Sequence, residues 1–384
     1  MAVLTEEELI KVRRHLHEIP ELALQEKETH AYLLEVIRNF KQDYLTIKVP
    51  EDLPTAILVL VKGTDPKRTI GYRTDIDALP VTEKTNLPFA SKNEGVMHAC
   101  GHDIHMSVAL GLLSYFSENQ PKDNLLFFFQ PAEESESGGK QAFEKGVFEG
   151  KFKPDEFYGL HDNPALPAGS IGCRMGTLFA GTTEINIDLY GKGGHAAFPQ
   201  NANDTVVAAA NLIMQIQTII SRSIDPIQSG VITLGKVEAG TIRNVIAGHT
   251  RIEGTLRGLT QEMILHIDKR LQDLCEGIAR SYNMEVKLDL NQGGYWPVEN
   301  DPKLTENFIS YMKQNKDVDY IETEPKMTGE DFGFLLAKFP GTMFWLGVGD
   351  PDSELHSATL NPDEKSIQRG VDAIKGFLIN RMGK

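Results

Sequence analysis

The chain has 384 residues and a formal net charge of −15, with 41% hydrophobic and 24% charged residues. Its length exceeds the ~250–300 residues at which single cores stop growing, so more than one domain is expected. The acidic balance speaks against nucleic acid or an anionic membrane surface as partner, and no run approaches the ~18 apolar residues of a membrane span. Residues 1–20 mix acids and bases where a secretion signal carries an apolar core. Three scattered cysteines, Cys100, Cys173 and Cys275, make no disulfide framework and suit a reducing cytoplasm.

Residues 5–19 read as an amphipathic helix with Leu9, Ile10, Val12, Leu16 and Ile19 on one face, ended by Pro20. A second helical stretch covers 27–40. Short, largely apolar runs then recur at 56–61, 125–129 and 342–347, the pattern of strands buried on both faces, with further strand-like stretches at 69–73 and 156–160. Several end in reactive groups. Asp75 and Asp77 follow 69–73, Glu133 and Glu134 follow 125–129, His161 follows 156–160, and His356 trails 342–347. Buried strands alternating with helices predict an α/β domain with a mostly parallel sheet, whose ligands bind beyond the carboxyl ends of the strands.

From about 177 to 290 the texture changes. Half-wet strands at 183–190, 231–237, 250–256 and 284–290 interleave with helices at 204–221 and 261–282. The order β-α-β-β-α-β is that of the ferredoxin-like motif. The expected organisation is a catalytic domain formed by 1–176 and 291–384, interrupted by an inserted α+β domain over 177–290.

The densest chemistry lies in MHACGHDIH (97–105), ahead of an apolar helical run at 106–116. Cys100 and His102 offer a thiolate and an imidazole to a metal. Glu133 and Glu134 leave a buried strand side by side. Neighbours in an extended segment point opposite ways, so one can ligate metal while the other takes a proton from water. His161 and His356 become ligands once that set is admitted; alone, each reads as a satisfied core histidine. Asp75 and Asp77 are either turn formers or carboxylates that orient ligand histidines. His98, Asp103 and His105 are candidates for the same supporting role. In the inserted segment, the glycine-rich loop 191–199 holds His195 as a donor to an oxyanion, or is a plain tight turn. Asn244 and Arg257 are candidate holders of a substrate carboxylate.

Together, RTDIDALP (73–80), MHACGHDIH (97–105), QPAEES (130–135), GLHD (159–162), GKGGHAAFP (191–199), TGEDF (328–332) and LHSATLNPDE (355–364) resemble the M20 metallopeptidases, in their amidohydrolase branch. The resemblance spans nearly the whole chain. It implies a zinc-peptidase-like α/β catalytic domain and an inserted ferredoxin-like domain used for homodimerisation and as a lid. It also implies two divalent ions (zinc, manganese, cobalt or nickel) on Cys100, His102, Glu134, His161 and His356. Glu133 would be the general base, with Asp75 supporting the metals from behind; the roles of the two glutamates can also be exchanged, with Asp75 and Glu134 as the active pair. His195 would act on the tetrahedral intermediate, in its own or a partner's site. Within the branch, 193–204 and 231–244 look most similar to enzymes that remove acetate from an N-acetylated diamino acid of lysine and cell-wall synthesis. The substrate implied is a small N-acyl amino acid. A hippurate-type or broad N-acyl-amino-acid hydrolase, a non-catalytic conjugate binder and a hydrolase with Cys100 as nucleophile are the other readings.

Overall fold

A computed structural model describes residues 3–383. They form two compact units. The first takes residues up to Leu178, then Asn300–Glu324, and those from Phe334 onward; the second comprises Phe179–Glu299 and Pro325–Gly333. Residues 291–299 and 325–333, assigned by pattern to the catalytic domain, thus pack in the second unit. Backbone bonds explain it: Ala180 N–H donates to the Lys326 carbonyl and Thr182 N–H to that of Tyr295.

The first unit is built on an eight-stranded sheet. At its centre, Asn124–Gln130, Thr69–Asp75, Glu156–Asn163 and Gly341–Gly347 lie side by side, all parallel. Every residue of the last three is buried, including the polar Arg73, Asp75, Glu156, His161 and Asp162. Antiparallel strands Ile57–Val61 and Leu45–Lys48 extend one edge. Two three-residue strands, Ile171–Cys173 and Tyr320–Glu322, extend the other. One sheet face presents Ile57, Val59, Ile70, Tyr72, Phe127 and Phe344 to a core shared with the helices Glu6–Glu18, Lys27–Arg38, His102–Glu118, Pro302–Gln314 and Lys365–Gly383. On the other face Phe128, Phe148, Phe157 and Phe339 meet edge to face, with centroids 5.0–6.2 Å apart.

The first helix starts at a capping box, in which the Thr5 side chain accepts from Glu8 N–H and the Glu8 carboxylate accepts from Thr5 N–H. Its buried Arg13 pairs with Asp103 on the helix that follows the cysteine loop, at 2.7 Å with both side chains fully buried. His17 meets the same carboxylate at 2.9 Å.

The second unit has strands Gly181–Tyr190, Gly230–Ala239, His249–Gly258 and Glu285–Asn291, and helices Thr205–Ser223 and Gln261–Tyr282. The sheet is antiparallel, in the spatial order fourth, first, third, second. Ile185, Ile187 and Leu189 alternate toward a core with Leu212, Ile216, Ile267 and Leu271 of the helices. The β-α-β-β-α-β order read from the sequence is present. Among the described residues no helix is long and apolar enough to cross a membrane.

Removing one partner of a buried ion pair leaves an uncompensated charge, at a cost of about 3–5 kcal/mol. Arg13→Met should therefore destabilise the first unit by about 3–5 kcal/mol, read by chemical denaturation. A loss below about 1 kcal/mol would mean that the Asp103 charge is satisfied without Arg13.

Candidate metal centre

Four parallel strands place their carboxyl ends along one edge, and the reactive residues gather there. Asp75 ends its strand opposite Gln130, so the Glu133–Glu134 turn emerges beside it. His161 lies inside its strand, which runs to Asn163, and not in the loop expected after residue 160. The reason is one-sided pairing. Bonding to Thr69–Asp75 stops at Arg73 and Gly159, while pairing with Gly341–Gly347 continues to Asn163. His161 and Asp162 therefore occupy an opened seam.

The cysteine loop reaches this edge through Gly101, whose φ of +77° opens the helix His102–Glu118. A Cβ there would overlap the Asp162 carboxylate. His356 has a φ of +67°, and its N–H donates to the Ala99 carbonyl at 2.7 Å, which ties the distant loop to the cysteine loop.

Ring orientation sorts the histidines. His102 Nδ1–H donates to the Asp77 carbonyl (2.8 Å) and His161 Nδ1–H to that of Asp162 (2.9 Å). Each ring thus turns its Nε2 inward. His161 Nε2 lies 3.4 Å from Cys100 Sγ. Glu134 bridges the group, with Oε1 3.7 Å from His102 Nε2 and Oε2 3.6 Å from His356 Nε2. The ligand atoms of Cys100, His102 and His161 all lie within 4.8 Å of one another, as do those of Cys100, Glu134 and His356, and those of His102, Glu133 and Glu134.

The donor set fits a cation. His102 Nε2 and Glu134 Oε1 are buried without a hydrogen bond. Burial, and then the carboxylates of Glu134, Asp162, Glu133 and Asp75, push the Cys100 thiol well above its ordinary range. Only positive charge among these groups makes the thiolate favourable. The same anionic surround is the reverse of what activates a cysteine nucleophile.

The remaining groups buttress these candidate ligands. Asp75 is wholly buried, bonded to Arg73 at 2.6 Å and to His105 Nδ1. His105 has both nitrogens engaged, its Nε2 lying 3.0 Å from Asp162 Oδ1. Burial alone would depress its pKa, but Asp75 and Asp162 outweigh that and push it up to about 9. Asp77 holds two candidate ligands at once, since its Oδ2 accepts from Glu134 N–H at 2.9 Å while its carbonyl accepts from His102. Two expected supporters do something else. Asp103 turns to Arg13 and His17, whose charges outweigh burial and hold its carboxyl well below the usual range. His98 makes no hydrogen bond at either ring nitrogen, and burial pushes it down to about 3, so the ring is neutral. Asp162 carries no role in the sequence pattern, although its place next to His161 is a usable signal.

His195, Asn244 and Arg257 belong to the second unit. His195 sits in a two-residue strand, exposed, opposite Val245. Its Nδ1 accepts from Ala197 N–H at 3.1 Å, which leaves the proton of the neutral ring on Nε2. The Asn244 carbonyl accepts from Ala196 N–H at 3.1 Å, so the two residues are neighbours. Arg257 pairs with Thr182, whereas His249, nearest the His195 loop, pairs with Tyr190. Eight residues at ~3.3 Å each set Arg257 about 26 Å along the strand from that end. Arg257 and the strand end that leads to the His195 loop thus lie at opposite ends of this sheet.

Comparison with known proteins agrees with this architecture. The sequence profile of Peptidase family M20/M25/M40 matches residues 71–380. An N-acetyldiaminopimelate deacetylase from Lactobacillus helveticus is 85% identical over 383 residues, covering 100% of both chains. One from Lacticaseibacillus paracasei is 65% identical over 98% of each. Among solved structures, a putative aminohydrolase from methicillin-resistant Staphylococcus aureus is similar with a TM-score of 0.92 at 32% identity, over 98% of this chain and 97% of that one. A dinuclear metal-binding peptidase of family M20 from Bacillus subtilis has a TM-score of 0.86 at 30% identity, over 99% and 98%.

Gly101→Ala should lower the melting temperature and the bound-metal stoichiometry together. A non-glycine residue in the left-handed region costs about 1–2 kcal/mol, and its Cβ would displace Asp162. Differential scanning fluorimetry and elemental analysis read both quantities; unchanged values in both would refute the geometric account of this loop.

Proposed function

The chain belongs to peptidase family M20/M25/M40, and we propose that it removes the acetyl group from N-acetyl-LL-diaminopimelate, releasing LL-diaminopimelate and acetate for lysine and cell-wall precursor synthesis. The observation that carries the chemistry is the convergence of thiol, imidazole and carboxylate ligand atoms on one strand edge beside Glu133. The substrate rests on full-length likeness to deacetylases at 65–85% identity.

Cys100, His102, Glu134, His161 and His356 would hold two divalent ions, a sulfur, nitrogen and oxygen set that suits zinc and admits manganese, cobalt or nickel. When bound, these ions supply positive charge that polarises the amide carbonyl and acidifies water. Glu134 is the ligand of the pair, because its two oxygens face His102 and His356. Glu133 is then the general base: it takes the proton of the attacking water and returns it to the departing amine. Asp75 acts through His105 and His102, which it faces from behind. His195 donates from Nε2 to the oxyanion, and Asn244 and Arg257 bind substrate carboxylate.

The separation of Arg257 from His195 and Asn244 supports a homodimer in which two copies complete each site. The strand Gly230–Ala239 supports it too, since it lies at an edge of its sheet with Val231 and Val237 exposed. We assign the second unit to dimerisation and closure over substrate, and the enzyme to the cytoplasm.

Amide hydrolysis of N-acetyl-LL-diaminopimelate, measured by release of the free amine beside hippurate and N-acetyl-leucine, tests the reading. The metal-replete protein should prefer the first, lose activity on chelation and regain it with added divalent metal. Absence of hydrolysis on all three would leave only a binding role; preference for hippurate would overturn the narrow substrate. Glu133→Gln should lower kcat by at least ~10²-fold with metal content intact. Loss of metal instead would exchange the roles of Glu133 and Glu134.

A further inference from the structure

The turn that carries the two glutamates is held at several points. The Gln130 carbonyl accepts from Ile76 N–H and the Ala132 carbonyl from Gly138 N–H, both at 3.0 Å. Two carboxylates grip the amides on either side of Glu133: Ala132 N–H donates to Glu26 Oε1, and Glu134 N–H to Asp77 Oδ2, each at 2.9 Å. Asp77 is close in sequence to the strand edge. Glu26 is not; it lies 106 residues before Ala132.

Three features make Glu26 unusual. Its side chain is fully buried, and burial, with the nearby Asp77 charge adding, pushes its carboxyl up to about 7. It occupies the N-cap position of the helix Lys27–Arg38 yet makes no capping hydrogen bond to that helix. Its Oε1 instead accepts from Leu24 N–H and Ala132 N–H, both at 2.9 Å. At the far end of that second bond, Ala132 is wholly buried with a φ of +60°. A non-glycine residue there is strained by roughly 1–3 kcal/mol and persists only where its surroundings enforce it. An ordinary helix cap accounts for none of this.

We propose that Glu26 is a positioning residue for the hydrolytic site: its carboxyl oxygen holds Ala132 in the left-handed conformation that aims Glu133 and seats Glu134. The inference rests on the roles given to that pair above. Without the clamp, residue 132 relaxes toward ordinary backbone conformations and the following side chains swing, while the groups that bind substrate stay in place. Misplacement by about 1 Å can cost ~10²-fold in rate.

The test compares Glu26→Ala, Glu26→Gln and the double variant Glu26→Ala/Ala132→Gly with the wild-type metal-replete enzyme. Glu26→Ala should lower kcat by ~10²-fold with KM little changed. Glu26→Gln keeps an acceptor oxygen and should stay within a few-fold of wild type. Glycine adopts positive φ freely, so the double variant should recover part of the kcat lost by Glu26→Ala. Hydrogen exchange at the Ala132 amide should be fast in Glu26→Ala and slow in wild type and Glu26→Gln. Should Glu26→Ala fail to fold, Glu26→Met fills the volume without an acceptor and carries the same expectations. Unchanged kcat in the variant lacking the acceptor, equal loss in Glu26→Gln, or no rescue by Ala132→Gly would each overturn the proposal. If the wild type hydrolyses no N-acyl amino acid, the functional reading falls alone. The exchange measurement then still decides whether Glu26 holds the turn, and an Ala132 amide equally protected without it would refute the clamp.

Discussion

Parallel pairing of the four central strands is the constraint on which the rest of the first unit depends. Parallel neighbours share a direction, so every polar residue that follows one of them arrives at the same edge. Asp75, the Glu133–Glu134 turn, His161 and Asp162 are brought together by that geometry alone.

Concentrating carboxylates in a dry edge is unfavourable unless each has a partner. Arg73 answers Asp75, Arg13 and His17 answer Asp103, and His105 lies between Asp75 and Asp162. What these pairs leave over is a thiol, inward-facing imidazole nitrogens and the Glu134 carboxyl, a set balanced by cations. Backbone carbonyls do much of the sorting. By holding Nδ1 of His102 and of His161, they decide which nitrogen is available before any ion arrives.

Much of this was legible in the residues. The helices Glu6–Glu18, Thr205–Ser223 and Gln261–Tyr282 and the central strands fall close to their predicted spans, because their apolar periodicity is strong. The strand Leu45–Lys48 was not legible: all four of its residues are only half-buried, so it lacks a burial pattern. Ile171–Cys173 and Tyr320–Glu322 are too short to show one. His161 follows the end of an apolar run and so reads as a loop residue, whereas the strand is prolonged by a neighbour some 180 residues away in sequence. His98 and Asp103 read as supporters because they flank candidate ligands, yet neighbours on a loop and helix face different surroundings.

By itself the sequence determined the chemistry on offer: a Cys100-x-His102 pair ahead of a helix, adjacent Glu133 and Glu134 leaving a buried strand, and two further histidines near strand ends. These are local facts of composition and periodicity. Only the tertiary structure decided which groups face inward. Whether a ring presents a free nitrogen, as His102 does, or is engaged at both, as His105 is, depends on hydrogen bonds from distant strands. The left-handed backbone at Ala132 likewise follows from a carboxylate more than a hundred residues earlier. Such orientations are set by long-range partners, and no window of sequence contains them.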